Sequence, residues 1–100
     1  MGSLDFSQKV KAIINKRNWL KCTGQYDEYK RYKEVIDYCY KSMSYEYQRI
    51  LRKCFLNESF KFWWVDEYAK SNFYRKKIKT ATAFVKLFEM KYESFNDYSN

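Results

Sequence analysis

Four cations crowd into five positions towards the end of the chain. Arg75, Lys76, Lys77 and Lys79 stand together, and no Asp or Glu lies among them. Side chains of this kind attract anions, with phosphates prominent among them. The run is therefore typical either of a solvated basic helix or of a helix that lies against an acidic partner.

The chain as a whole is also strongly basic. Its 100 residues include 20 Lys and Arg against 12 Asp and Glu, which gives a formal net charge of +8. An excess of this size on one small domain favours a polyanionic partner, most often nucleic acid and less often an anionic membrane surface. No apolar run approaches the roughly 18 residues that a membrane span requires, and no signal peptide is visible. We therefore expect a cytoplasmic protein with no membrane partner.

The residue types that build catalytic and metal sites are scarce. Histidine is absent, and the three cysteines, Cys22, Cys39 and Cys54, lack the paired spacing of a zinc site. No glycine-rich phosphate loop is visible, and no nucleophile has a base in its pattern. We predict that the protein is not an enzyme and that it uses no cofactor and no metal ion.

The elements that must position the cations are predicted to be helices. Proline is absent and glycine occurs only at Gly2 and Gly24, so the residues that tight turns between strands require are few. We predict a single all-α domain over residues 1–100 with about five helices. Apolar spacing and the capping residues Ser44 and Ser71 place these helices at about 6–20, 26–40, 44–56, 60–68 and 71–92.

The last of these helices has two faces on a helical wheel. The predicted core stripe consists of Tyr74, Ile78, Ala81, Val85 and Phe88, with Phe84 at its flank. The opposite face carries Asn72, Arg75, Lys76, Lys79, Ala83 and Lys86. The cations are thus sorted away from the core, and the small Ala83 leaves a low spot that suits entry into a groove.

The order of the last three helices is that of a helix-turn-helix unit, over about residues 44–90, with an N-terminal helical extension at 5–40. In that motif the last helix enters the DNA major groove with its N-terminal residues at the base edges. Asn72 can contact adenine and Arg75 can contact guanine. Lys76, Lys79 and Lys86 suit phosphates, which fix the register without reading sequence. Neutralising about five phosphates would give a log–log salt slope of about −4 to −5.

The adjacent pair Trp63 and Trp64 allows two interpretations. Neighbouring residues on a helix point about 100° apart, so both rings are buried only if the helix is sandwiched between other elements. In the simpler interpretation one Trp packs on the core and the other anchors the motif to the N-terminal helices. In the other interpretation an exposed Trp stacks on a base or on a partner protein.

Two segments, MSYEYQRILRKCFLN and FWWVDEYAKSNFYRKKIKTATAFVKLF, resemble the C-terminal domain of a phage protein family. The family is the ArpU/RinA-like group of late-gene transcriptional activators of Gram-positive bacteria, whose helix-turn-helix is similar to region 4 of sigma-70 factors. The sequence departs from the family pattern at Asn72, where threonine is common, and at Ala69, where serine is usual. The residues that carry the resemblance are Trp63, Trp64, Tyr68, Ser71, Phe73, Tyr74, Arg75, Lys77, Ala81 and Phe84.

The resemblance implies a sequence-specific regulator that binds double-stranded DNA in the cytoplasm of a bacterial host. It would be a phage or prophage activator of late genes, with RNA polymerase as a further partner. The alternative is a phage-encoded interaction module, centred on Trp63, Trp64 and Tyr68, that binds RNA polymerase or another host protein without reading bases. The operator, the sign of regulation and homodimer formation stay open, since no heptad or self-complementary stripe is visible.

Overall fold

A computed structural model describes residues 5–56 and 62–99, with side chains described as far as residue 93. Within these ranges every regular element is a helix: α1 (Phe6–Cys22), α2 (Tyr26–Lys41), α3 (Tyr45–Phe55) and α4 (Lys70–Ser99). The all-α prediction is confirmed. In the same part of the chain, no helix is both long and apolar enough to cross a membrane.

Local side chains and one glycine set the boundaries of the first three helices. The Asp5 carboxylate accepts a hydrogen bond from the Gln8 backbone N–H at 2.8 Å and so caps α1. Gly24 has a φ of 77°, a left-handed conformation that glycine adopts without strain, and it separates α1 from α2. Ser44 caps α3 as predicted, because its Oγ accepts a hydrogen bond from the Tyr47 N–H at 3.3 Å.

The last helix begins one residue before the predicted cap. α4 starts at Lys70, and the Phe73 N–H donates to the Ala69 carbonyl oxygen at 2.9 Å. The predicted role of Ser71 as the N-cap is therefore wrong. The helix also continues beyond the predicted end, to Ser99.

The short aromatic helix predicted at 60–68 is wrong over its described part, since residues 62–67 form turns. The Trp64 carbonyl oxygen accepts hydrogen bonds from the N–H groups of Glu67 and Tyr68. This helical hydrogen bonding does not continue into further turns of the described segment. Residues 60 and 61 lie outside the described residues. α3 ends at Phe55 and α4 begins at Lys70, so more residues separate these two helices than the three or four of the usual helix-turn-helix turn.

The main core lies where α4 crosses the other three helices. α4 contacts α1, α2 and α3, and α1 also contacts α2. The centre of this core is fully buried and includes Val10, Val35, Leu51 and Phe84. Close to it, the ring of Tyr32 meets the edge of Phe88 at a centroid distance of 5.1 Å, and burial raises the pKa of Tyr32 to about 12.

The predicted core stripe of α4 is correct for four of its six residues. Ala81, Phe84, Val85 and Phe88 are buried as predicted, whereas Tyr74 and Ile78 are 44% and 59% exposed. At its start α4 instead buries Phe73 and, two turns later, Thr80. The reason is that α3 and residues 62–68 pack against the first turns of α4. They cover the side that carries Phe73 and leave the side that carries Tyr74 open.

Candidate nucleic-acid interface

Three cations share the outer face of α4. Arg75, Lys79 and Lys86 are exposed, and at 3.6 residues per turn their side chains fall within about 40° of one another around the helix axis. None of the three forms an ion pair with another described residue. The face is therefore a row of free positive charges that can neutralise anions from solvent.

The row has a defined length. Asn72 is exposed at its start, on the first turn of α4, and Lys86 ends it about 21 Å further along the axis at 1.5 Å per residue. The exposed carboxylates of Glu89 and Glu93 follow. These acids make the next turns unfavourable for a polyanion, so the basic face is confined to residues 72–86.

Lys76 lies apart from the other predicted site residues. Its Nζ is 3.0 Å from both carboxylate oxygens of Glu46 on α3, and it also lies 5.8 Å from the centroid of the Tyr68 ring. The neighbouring Lys77 is half-buried over the Phe55 ring at 5.6 Å. Both lysines thus contact the protein body, and the structure brings together Asn72, Arg75, Lys79 and Lys86 from the predicted set of five.

A small aromatic cluster fixes the first turns of α4. The Trp64 ring stacks on the Phe73 ring with a centroid distance of 4.5 Å and an interplanar angle of 6°. Trp63 meets the edges of Phe73 at 5.6 Å and Tyr68 at 6.3 Å. Ile50 of α3 completes this second core. We conclude that burial of these rings holds the start of α4 against α3.

Trp63 and Trp64 are each only 8% exposed. The interpretation in which an exposed Trp63 or Trp64 stacks on a base is therefore wrong. The simpler interpretation is correct as to burial, but the partners of the rings are α3 and α4, and not the N-terminal helices. Residues 62–67 form turns, and from these turns both side chains enter the same small core with Phe73 and Ile50.

Cations from α3 enclose the Trp63 ring. The Arg49 guanidinium carbon and the Lys53 Nζ each lie 5.1 Å from its centroid. An Arg49 guanidinium nitrogen also donates to the Glu67 carboxylate at 2.6 Å. Cation–π contacts of this kind contribute about 0.5–1 kcal/mol at partly exposed sites, so they strengthen the link between α3 and the turns.

The Glu46 carboxylate joins the same elements through a second set of contacts. It accepts hydrogen bonds at 3.0 Å from the Tyr68 hydroxyl and from the Lys76 ammonium. The hydrogen bond from Lys76, with a smaller contribution from Tyr68, lowers the pKa of Glu46 below its ordinary value of 4.5. These contacts therefore stabilise the fold above that pH and weaken as the pH falls through the lowered pKa.

Two features of this interface have no signal in a single sequence. Glu46 and Lys76 are 30 positions apart, and nothing in the local pattern pairs them. Tyr74 and Ile78 are exposed because the neighbouring elements pack on the other side of α4. A helical wheel does not show where those neighbours lie. Among the described residues, no group of three or more His, Cys, Asp or Glu could hold a metal ion.

Comparison with known proteins adds no family to these observations. The chain matches no family model, no curated protein and no solved structure. The resemblance to the phage late-gene activators stays a prediction that rests on the residues named above.

Proposed function

We propose that the protein binds double-stranded DNA through the outer face of α4 and thereby regulates transcription. The observation that carries the proposal is the row of Arg75, Lys79 and Lys86, which are exposed and make no ion pair with the other described residues. Free cations on one face of a helix attract the phosphates that line both edges of a DNA groove.

In this proposal α4 is the recognition helix and α3 is the helix that supports it, as in a helix-turn-helix with an extended connection. A recognition helix reads bases only if its first turns are held rigidly. The stacking of Trp64 on Phe73 and the ion pair between Lys76 and Glu46 provide such support. Lys76 then acts by positioning α4, while the phosphate contacts come from Lys79 and Lys86.

The side chains at the start of the row suit base recognition. Asn72 and Arg75 are exposed on the first two turns of α4, the part of a recognition helix that approaches the base edges. Asn can form two hydrogen bonds with adenine, and Arg can form two with guanine. The resemblance to phage late-gene activators supports the same assignment and adds RNA polymerase as a proposed partner.

The alternative function, a protein-interaction module centred on Trp63, Trp64 and Tyr68, has less support. Both tryptophans are buried, and the Tyr68 hydroxyl donates to Glu46. A protein partner at this segment would therefore contact its exposed side chains, such as Val65, and not the two buried rings.

Selection of bound duplexes from a random DNA pool tests the proposed function. We expect the wild-type protein to enrich one sequence that contains a guanine, because Arg75 presents two donors to the acceptors of that base. A two-fold symmetric sequence would also establish a dimer. If the recovered pool keeps the composition of the input pool, the protein does not read DNA sequence and the proposal fails.

A further inference from the structure

A large aliphatic side chain stands beside the basic row of α4. Ile78 is 59% exposed, three residues after Arg75 and next to Lys79 in sequence. On the helix it lies about 60° from Arg75, on the side away from Lys79. The face that the proposed function places against DNA therefore carries an apolar group beside Arg75, the first cation of the row.

The surroundings of Ile78 form a groove. The start of α1 flanks it, and a cleft of about 210 Å³ is lined by Ile78, Phe6, Ser7 and Asp5. The Thr82 hydroxyl, one turn further along α4, donates to the Ile78 carbonyl oxygen at 2.8 Å, so that hydroxyl is already engaged within the helix. Of the two apolar side chains that line the cleft, Phe6 is partly buried against the main core, whereas Ile78 is exposed and open to an apolar contact.

We infer that Ile78 contacts the C5-methyl group of a thymine and so adds a thymine to the recognised sequence. This inference rests on the proposed function. In the major groove thymine presents a C5-methyl group beside its O4 acceptor, and the other three bases present no methyl group there. An aliphatic side chain forms no hydrogen bonds, so it favours thymine over cytosine at the position it reaches.

The geometry of the helix limits where that thymine lies. Residues three apart on a helix have Cβ atoms about 5–6 Å apart, and successive bases on a strand are about 3.4 Å apart. The thymine therefore lies within about two base pairs of the guanine that Arg75 contacts.

Removal of the methyl group from DNA tests this inference directly. The enriched duplex is prepared with each thymine replaced in turn by deoxyuridine, and the Kd of wild-type protein and of Ile78→Ala is measured by fluorescence anisotropy. We expect one replacement to weaken wild-type binding about fourfold, which corresponds to about 0.8 kcal/mol for one buried carbon. The same replacement should leave the Kd of Ile78→Ala unchanged.

Met90→Ala is the matched control, since Met90 is also exposed on α4 but lies beyond the basic row. It should keep the fourfold loss. If no deoxyuridine replacement weakens wild-type binding, or if Ile78→Ala shows the same loss, the inference is overturned while the DNA-binding function stands. If no duplex is enriched at all, the proposed function and this inference fail together.

Discussion

Replacement of Arg75 by alanine is expected to weaken binding to the enriched duplex by about 1–3 kcal/mol, or roughly 5- to 150-fold. Arg75 is exposed on α4 and forms no ion pair with another described residue, so its guanidinium is free to donate two hydrogen bonds to a guanine. The loss should be largest on the enriched duplex and small on random DNA. Sequence preference at one base pair should relax.

Lys86→Ala is the matched control for Arg75→Ala, because it removes one positive charge from the same face of the same helix. It should weaken binding to enriched and random duplexes by the same factor, since a phosphate contact carries no sequence information. Gel-shift titrations of both variants on both duplexes give the four required values. Equal losses on the two duplexes for Arg75→Ala would contradict the assigned role of that residue.

Replacement of Trp64 by alanine is expected to lower the free energy of unfolding by about 3–5 kcal/mol, as is usual for truncation of a buried aromatic residue. The Trp64 ring stacks on Phe73 and meets the edge of Tyr74 at 5.8 Å. Its loss leaves a cavity at the point where α4 joins α3. A domain of this size has a total stability of about 5–15 kcal/mol, so the effect is large.

Trp19→Ala is the control for this prediction, because Trp19 lies on α1 and is 56% exposed. Its substitution should change the free energy of unfolding by no more than about 0.5 kcal/mol. Urea unfolding followed by circular dichroism at 222 nm measures both variants. Similar destabilisation by the two substitutions would mean that the aromatic cluster does not support α4.

The parts of the fold that could be predicted from the sequence are those set by local interactions. The Ser44 cap acts within three residues of its own position, so residue type and spacing are sufficient to find it. The buried part of the α4 stripe, Ala81 to Phe88, was also predictable because a central helix segment is covered by several neighbours. In both cases the local pattern and the tertiary structure agree.

The errors lie where tertiary packing outweighs the local pattern. The aromatic spacing at 60–68 suggested a helix, but the rings of Trp63 and Trp64 enter the same small core from the turns at 62–67. Ile78 satisfies the apolar spacing of the core stripe and is nevertheless exposed. Lys76 has the sequence context of a free cation, but its ion pair with Glu46 depends on how α3 packs on α4.

The ion pair between Lys76 and Glu46 also changes the expected salt dependence of DNA binding. Five neutralised phosphates would give a log–log salt slope of about −4 to −5, whereas the two phosphate contacts assigned to Lys79 and Lys86 give a slope of about −2. Lys76 and Lys77 contribute less, because they contact Glu46 and Phe55 respectively.

The most direct test of the proposed interface is the affinity for the enriched duplex between about 50 and 200 mM salt. It compares the wild type with a variant that combines Arg75→Gln, Lys79→Gln and Lys86→Gln. A control variant combines Lys21→Gln, Lys30→Gln and Lys41→Gln, which are exposed cations on α1 and α2. We predict that the first variant has a slope shallower by about 2, because the phosphate contacts of Lys79 and Lys86 are lost, and that it binds much more weakly. The control should keep the wild-type slope. Wild-type affinity and slope in the first variant would show that α4 is not the DNA-binding surface.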